Sequence, residues 1–167
     1  MRVLGIDPSS RATGYGLVDA GDRDPIVVTY GSIKPPPRAA LPAKLLAIKS
    51  GITGLIALHR PDEIAIENPF LAKNTKTALL LGQVRGAVLV AVAEAARPLY
   101  EYSPLEIKKA VTGYGQAEKG QVGTMIRALL RIEEPGPDED AADALACALC
   151  HLNTRLFLRL VEESKIS

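Results

Sequence analysis

Arg2-Val3-Leu4-Gly5-Ile6-Asp7-Pro8-Ser9-Ser10 leads into Gly14-Tyr15-Gly16-Leu17-Val18 and then into Ile26-Val27-Val28-Thr29-Tyr30. Each run is short, apolar or β-branched, and bounded by residues that turn the chain, which is the pattern of strands. The links between them are too short for a crossover, so the three predict an antiparallel meander with its first turn at Pro8-Ser9-Ser10. Lys34-Pro35-Pro36-Pro37-Arg38 follows as a stiff linker that fits neither a helix nor an inner strand.

Beyond the linker the period changes. Leu45, Leu46, Ile48, Ile52, Leu55 and Ile56 recur at helical spacing between residues 41 and 59, and Pro61 ends that helix. Residues 62–67 read as a fourth strand and Pro98-Leu99-Tyr100-Glu101-Tyr102 as a fifth. Between them a long helix reaches about Ala96, with Thr75 or Thr77 as its expected cap and with Gly82 and Gly86 allowing close backbone approach. Ser103-Pro104 starts another helix, which stops at Gly113-Tyr114-Gly115. Further helices are expected over about 117–131 and 139–160. The order β-β-β-α-β-α-β-α-α-α predicts an α/β fold with one mixed five-stranded sheet, three antiparallel strands then two parallel ones, flanked by helices. Its 167 residues suit a single domain with a core over about 2–160 and a short C-terminal tail.

Composition narrows the class. Apolar residues make up 47% of the chain, which excludes disorder, and the net charge of +1 announces no particular partner. The charge is unevenly spread. Residues 70–131 hold nine Lys and Arg against four acids, whereas residues 132–167 hold eight acids against three bases. A basic middle beside an acidic end fits a polyanion surface around a metal site. No signal peptide is apparent, no stretch is expected to approach a membrane span, and a cytoplasmic location is expected. Cys147 and Cys150, three apart among Ala and Leu, read as small buried residues.

The candidate chemistry lies in carboxylates at the ends of these elements. Asp7 closes the first strand, Glu67 closes the fourth, and Asp140 and Asp143 sit one turn apart at the start of the last helix. Taken singly, each reads as a turn residue or a helix-start charge. With the first strand central and the fourth parallel beside it, Asp7 and Glu67 leave the sheet at one edge. A cluster of carboxylates there suits hard divalent cations such as Mg²⁺ or Mn²⁺, whose usual work in such sites is phosphate chemistry.

The ordered motifs add specificity. Gly5-Ile6-Asp7-Pro8 with Thr13-Gly14-Tyr15-Gly16, Ala65-Ile66-Glu67 with Phe70 and Ala72-Lys73-Asn74, and Gly82-Gln83-Val84-Arg85-Gly86 resemble the RuvC family of Holliday-junction resolvases. The match continues through Ile107-Lys108, Gly113-Tyr114-Gly115 with Ala117-Glu118-Lys119, and Asp140-Ala141-Ala142-Asp143-Ala144-Leu145-Ala146. The resemblance implies an RNase H-like fold and a homodimer that cuts four-way DNA junctions symmetrically, using two Mg²⁺ or Mn²⁺ ions per active site, in recombination and repair. It implies Asp7, Glu67, Asp140 and Asp143 as metal-holding catalytic acids and Lys108 and Lys119 as lysines near the scissile phosphate. Phe70 corresponds to an aromatic that stacks on a base at the open junction, where stacking contributes about 1–3 kcal/mol. Lys73, Lys76, Arg85 and Tyr114 are further candidate DNA contacts, and the branch-migration proteins RuvA and RuvB are candidate partners. Ser9 stands where the family usually has glycine, and Pro69 precedes Phe70.

Three other functions compete with this reading. Gly5-Ile6-Asp7 followed by Ser9-Ser10 also resembles the first phosphate loop of sugar kinases and actin-like ATPases, but those need a second copy of the domain, for which 167 residues leave no room. A non-catalytic DNA-binding module would have its acids repelling its ligand. The runner-up is another RNase H-like nuclease acting on RNA or an RNA/DNA hybrid.

Overall fold

β1 (Arg2–Asp7), β2 (Thr13–Asp19) and β3 (Ile26–Ile33) pair in antiparallel order in the computed structural model, which describes residues 1–68, 75–133 and 135–166. β1 also pairs in parallel with β4 (Glu63–Glu67), and β4 in parallel with β5 (Leu99–Tyr102). The sheet order is β3-β2-β1-β4-β5, which puts β1 at the centre as expected. β3 continues past Tyr30 because Thr13, Gly14 and Tyr15 of β2 offer partners to Ile33, Ser32 and Gly31.

Alternation along the strands divides the core into two layers. Leu4, Ile6, Leu17, Ile64 and Ile66 point to one face and pack with α1 (Leu41–His59) and α2 (Thr75–Glu94) through Ile48, Ile52, Val84 and Val88. Val3, Val18 and Ala65 point to the other face, under α3 (Pro104–Thr112), α4 (Lys119–Leu129) and α5 (Glu139–Ile166). Both cysteines are free and buried in that second layer.

α5 lies with its backbone directly on the sheet. A β-carbon on Gly5 would fall on the carbonyl oxygen of Ala144 and 2.7 Å from the amide of Ala148. One on Gly14 would fall on the carbonyl of Asp140, and one on Gly16 would lie 2.7 Å from the Leu145 side chain. These glycines, read from the sequence as strand and motif residues, are where the helix touches β1 and β2.

Both regions of α5 are tied to the sheet. Asp138 caps the N-terminus, with Oδ1 accepting from the Ala141 amide at 3.0 Å. Its carboxylate also accepts from Ser32 Oγ at 2.7 and 2.8 Å and from Lys34 Nζ at 3.2 Å. Farther along, His151 Nδ1 accepts from the Tyr102 hydroxyl at 2.7 Å, and Nε2 donates to Glu63 Oε2 at 2.6 Å. Burial lowers the His151 pKa and favours the neutral ring, and the Glu63 carboxylate, which can only accept, places its proton on Nε2. Arg155 donates to the other Glu63 oxygen at 2.9 Å.

Ser103 caps α3 in a reciprocal box with Glu106, with Pro104 in the first turn and Gly113 closing the end in the left-handed region, as the sequence predicts. α5 runs on to Ile166, past the expected end near residue 160. Thr75 and Thr77 lie inside α2 and so do not cap it; the residue before Thr75 lies outside the described residues.

The expectation that nothing approaches a membrane span needs correction, because α1, α2 and residues 139–164 are each long and apolar enough to cross one by length and composition. In the fold, their inner faces fill the two core layers.

Gly5→Ala is expected to destabilise the protein by about 3 kcal/mol, the upper range for forcing a methyl into filled space, because both obstacles are backbone atoms. Urea denaturation checks it; an unchanged midpoint contradicts the contact.

Candidate active site

β1 and β4 are parallel neighbours with Ile6 opposite Ile66, so the residues that follow, Asp7 and Glu67, leave adjacent strand ends on the same face. That face is the one α5 covers, and its first turns bring Asp143 into the cleft, while Asp140 lies close enough to raise Asp7 by its charge but does not line the cleft. Asp7, Glu67, Asp143, Lys108 and Lys119 line one cleft of about 220 Å³, with Ile107 and Val122 in its wall. Lys119, Asp143 and Glu139 also line an adjoining groove of about 490 Å³ along α4.

The acids are held in unfavourable surroundings for charge. Burial pushes the Asp7 carboxyl up to about 8, with the charges of Glu67, Asp143 and Asp140 adding to it and Lys119 opposing. Burial also raises Glu67, helped by Asp143 and opposed by Lys119 and Lys108. Asp140 is raised by burial first and then by Asp138, Glu139 and Asp143. Desolvation therefore leads at all three, and repulsion between the acids comes second. Lys119 is raised by its hydrogen bond to Glu139, at 2.6 Å, and by Asp143, at 3.1 Å. Cys147 lies one turn beyond Asp143, where burial raises its thiol.

This donor set fits a hard divalent cation: oxygen ligands only, several charges facing one cleft, and a proton held where a cation would relieve repulsion. The side chains do not close round a single point, since among the described residues no three His, Cys, Asp or Glu are gathered tightly enough to hold an ion.

The remaining predicted residues are more dispersed. Lys76 is exposed at the start of α2, and Tyr114 is exposed between α3 and α4, with its hydroxyl 3.4 Å from Gln116 Oε1. Arg85 is engaged within the chain, 2.6 Å from Glu101, and Glu101 also accepts from Asn68 at 3.1 Å. This links α2 to the residue after Glu67. Phe70 and Lys73, like Pro69, lie outside the described residues. At Ser9 the first turn is closed by Thr13, whose hydroxyl donates to the Ser9 carbonyl at 2.8 Å. Sequence reasoning leaves open whether Asp138 substitutes for Asp140 or Asp143, and in the structure Asp138 caps α5. It missed Glu139, although the four-residue spacing to Asp143 on one helix face was there to be read.

The architecture is RNase H-like, a mixed sheet carrying acids at the ends of its central strands. The family model for crossover junction endodeoxyribonuclease RuvC matches residues 3–151. A crossover junction endodeoxyribonuclease RuvC from Halorhodospira halophila is 53% identical over 154 residues, covering 92% of this chain and 91% of that one. One from Dehalococcoides mccartyi is 40% identical over 167 residues, covering 100% of both. The structure of T. thermophilus RuvC in complex with Holliday junction substrate superposes with a TM-score of 0.87 at 33% identity, covering 93% of this chain and 94% of that one. The chain belongs to the RuvC family of crossover junction endodeoxyribonucleases.

Asp7 ionises near 3.8 when free and near 8 in the fold. Between those values the folded state keeps a proton that the unfolded state has released, so this group's contribution to stability falls as pH rises. With a chelator present, Asp7→Asn is expected to raise Tm by roughly 5 °C at pH 8 and to change it little near pH 4. Calorimetry at both pH values checks this, and equal Tm values at pH 8 would contradict it.

Proposed function

We infer that this chain is a crossover junction endodeoxyribonuclease that hydrolyses phosphodiesters in four-way DNA junctions during recombination and repair. The observation that carries the reading is the shared cleft of Asp7, Glu67, Asp143, Lys108 and Lys119 in a chain of this family. A relative solved on a Holliday junction supports the substrate. In this reading residues 1–167 act as one nuclease domain, working in the cytoplasm. Cooperation with RuvA and RuvB rests on family membership alone.

Asp7, Glu67, Asp140 and Asp143 would hold two divalent cations, Mg²⁺ or Mn²⁺. Such ions supply Lewis-acid activation of water and neutralise charge on the leaving oxygen. The protein's own groups do the rest. Lys108 and Lys119 present ammonium groups to the non-bridging oxygens of the scissile phosphate and orient it. Ile107 and Val122 keep one wall of the cleft dry, which strengthens the electrostatics inside. The Asp7 carboxyl, raised by burial and by its acid neighbours, would release its proton as a ligand to such a cation. Lys76 and Tyr114, both exposed, would meet DNA outside the cleft, and Phe70 and Lys73 keep the roles that the family resemblance gives them. Arg85, paired with Glu101, serves better as a brace than as a DNA contact.

A homodimer fits the outer face of α2. Leu79 and Val90 are 65% and 52% exposed there, and Gly82 and Gly86 meet no other atoms that a β-carbon would touch. A helix of this kind presents a smooth apolar stripe to a symmetric copy, and a two-fold axis would set two sites for two matched nicks.

Asp7→Asn is expected to bind junctions with wild-type affinity while cutting falls by about 10³-fold or more, the scale of losing an electrostatic anchor. Cleavage assays on a four-way junction, a linear duplex and an RNA/DNA hybrid test the substrate; preference for the hybrid would favour the RNA-directed alternative. Val90→Glu is expected to convert a dimeric mass at micromolar concentration into a monomeric one, read by light scattering.

A further inference from the structure

Lys119 is held by two carboxylates at once, Glu139 Oε1 at 2.6 Å and Asp143 Oδ2 at 3.1 Å. The two acids differ in position. Asp143, like Lys119, lines both the catalytic cleft and the adjoining groove, whereas Glu139 lines only the groove. Lys119 is the first residue of α4, whose start is fixed by a reciprocal box between Glu118 and Gln121, so the lysine stem leaves from a set place. Glu139 and Asp143 are four apart on α5 and stand on one side of it. The ammonium thus sits between them, nearer the acid outside the cleft.

We propose that Glu139 is a positioning residue that draws the Lys119 ammonium to the rim of the cleft and so eases the loading of Asp143 by a divalent cation. This rests on the reading that the cleft acids hold such cations. An ammonium and a metal ion compete for the same carboxylate oxygens. With Glu139 present, Lys119 keeps a partner when it leaves Asp143. It also stays beside the cleft, ready to meet a phosphate. Without Glu139, leaving Asp143 strands the ammonium, and the competition favours lysine. The Lys119 and Glu139 side chains are 65% and 70% exposed, so the effect is modest and screened by salt.

The test is Mn²⁺ binding to the DNA-free protein, with unbound Mn²⁺ read by electron paramagnetic resonance. Glu139→Gln is expected to raise the dissociation constant about two- to fivefold, the scale of an exposed ion pair. Lys119→Met is expected to lower it, and adding Glu139→Gln to Lys119→Met is expected to change it little, because Glu139 acts through Lys119. An equal rise in both backgrounds overturns the proposal, since Glu139 would then act as a plain charge. No rise from Glu139→Gln alone also overturns it. Absence of saturable Mn²⁺ binding by the folded wild-type protein overturns the cation reading and this inference with it.

Discussion

The backbone of α5 rests on β1 and β2 because Gly5, Gly14 and Gly16 have no side chain to hold it away. Everything in the cleft depends on that approach. A helix usually packs on a sheet through side chains, which keep the two backbones well apart. Here the carbonyls of Asp140 and Ala144 occupy the space that β-carbons would fill, so the acids of the helix start beside the ends of the strands. The contact is registered in both directions. Asp138 pins the helix start to Ser32 and Lys34, and His151 with Arg155 pins it farther along to Glu63 and Tyr102. A slide along its axis would break one set of bonds or the other.

The price of this arrangement is electrostatic. Asp7 and Glu67 are pushed into an apolar wedge between sheet and helix, where ionisation is unfavourable before any neighbour is considered. Lys108 and Lys119 offset part of that cost from the open side. The same features that raise these carboxylates make them strong oxygen donors towards a cation, so instability and binding capacity have one origin.

Much of this was legible in the chain. Strand order followed from short links among the first three strands and helical crossovers later, and the Ser103-Pro104 start and Gly113 stop were written in cap chemistry. The positions of Asp7 and Glu67 followed from parallel neighbours ending at one edge. What the sequence hid was pairing between distant side chains. Nothing local to Arg85 announces Glu101, and nothing local to Lys119 announces Glu139. The glycines were visible, but a glycine in a strand does not declare what approaches it. Asp138 was ambiguous for a related reason: a cap and a ligand are the same residue type, and nothing local to it announces its bonds to Ser32 and Lys34.

The raised Asp7 carboxyl also sets what the free protein shows to its surroundings. Burial and the neighbouring acids favour the protonated form there, which makes the resting cleft less anionic than its formula. A polyanion approaching it meets less repulsion than a row of ionised acids would give. In the proposed reading a cation bound at Asp7 would displace that proton, so loading would be an exchange of ions whose heat depends on the buffer that takes the proton. In that reading, acidification would weaken cation loading through competition for Asp7.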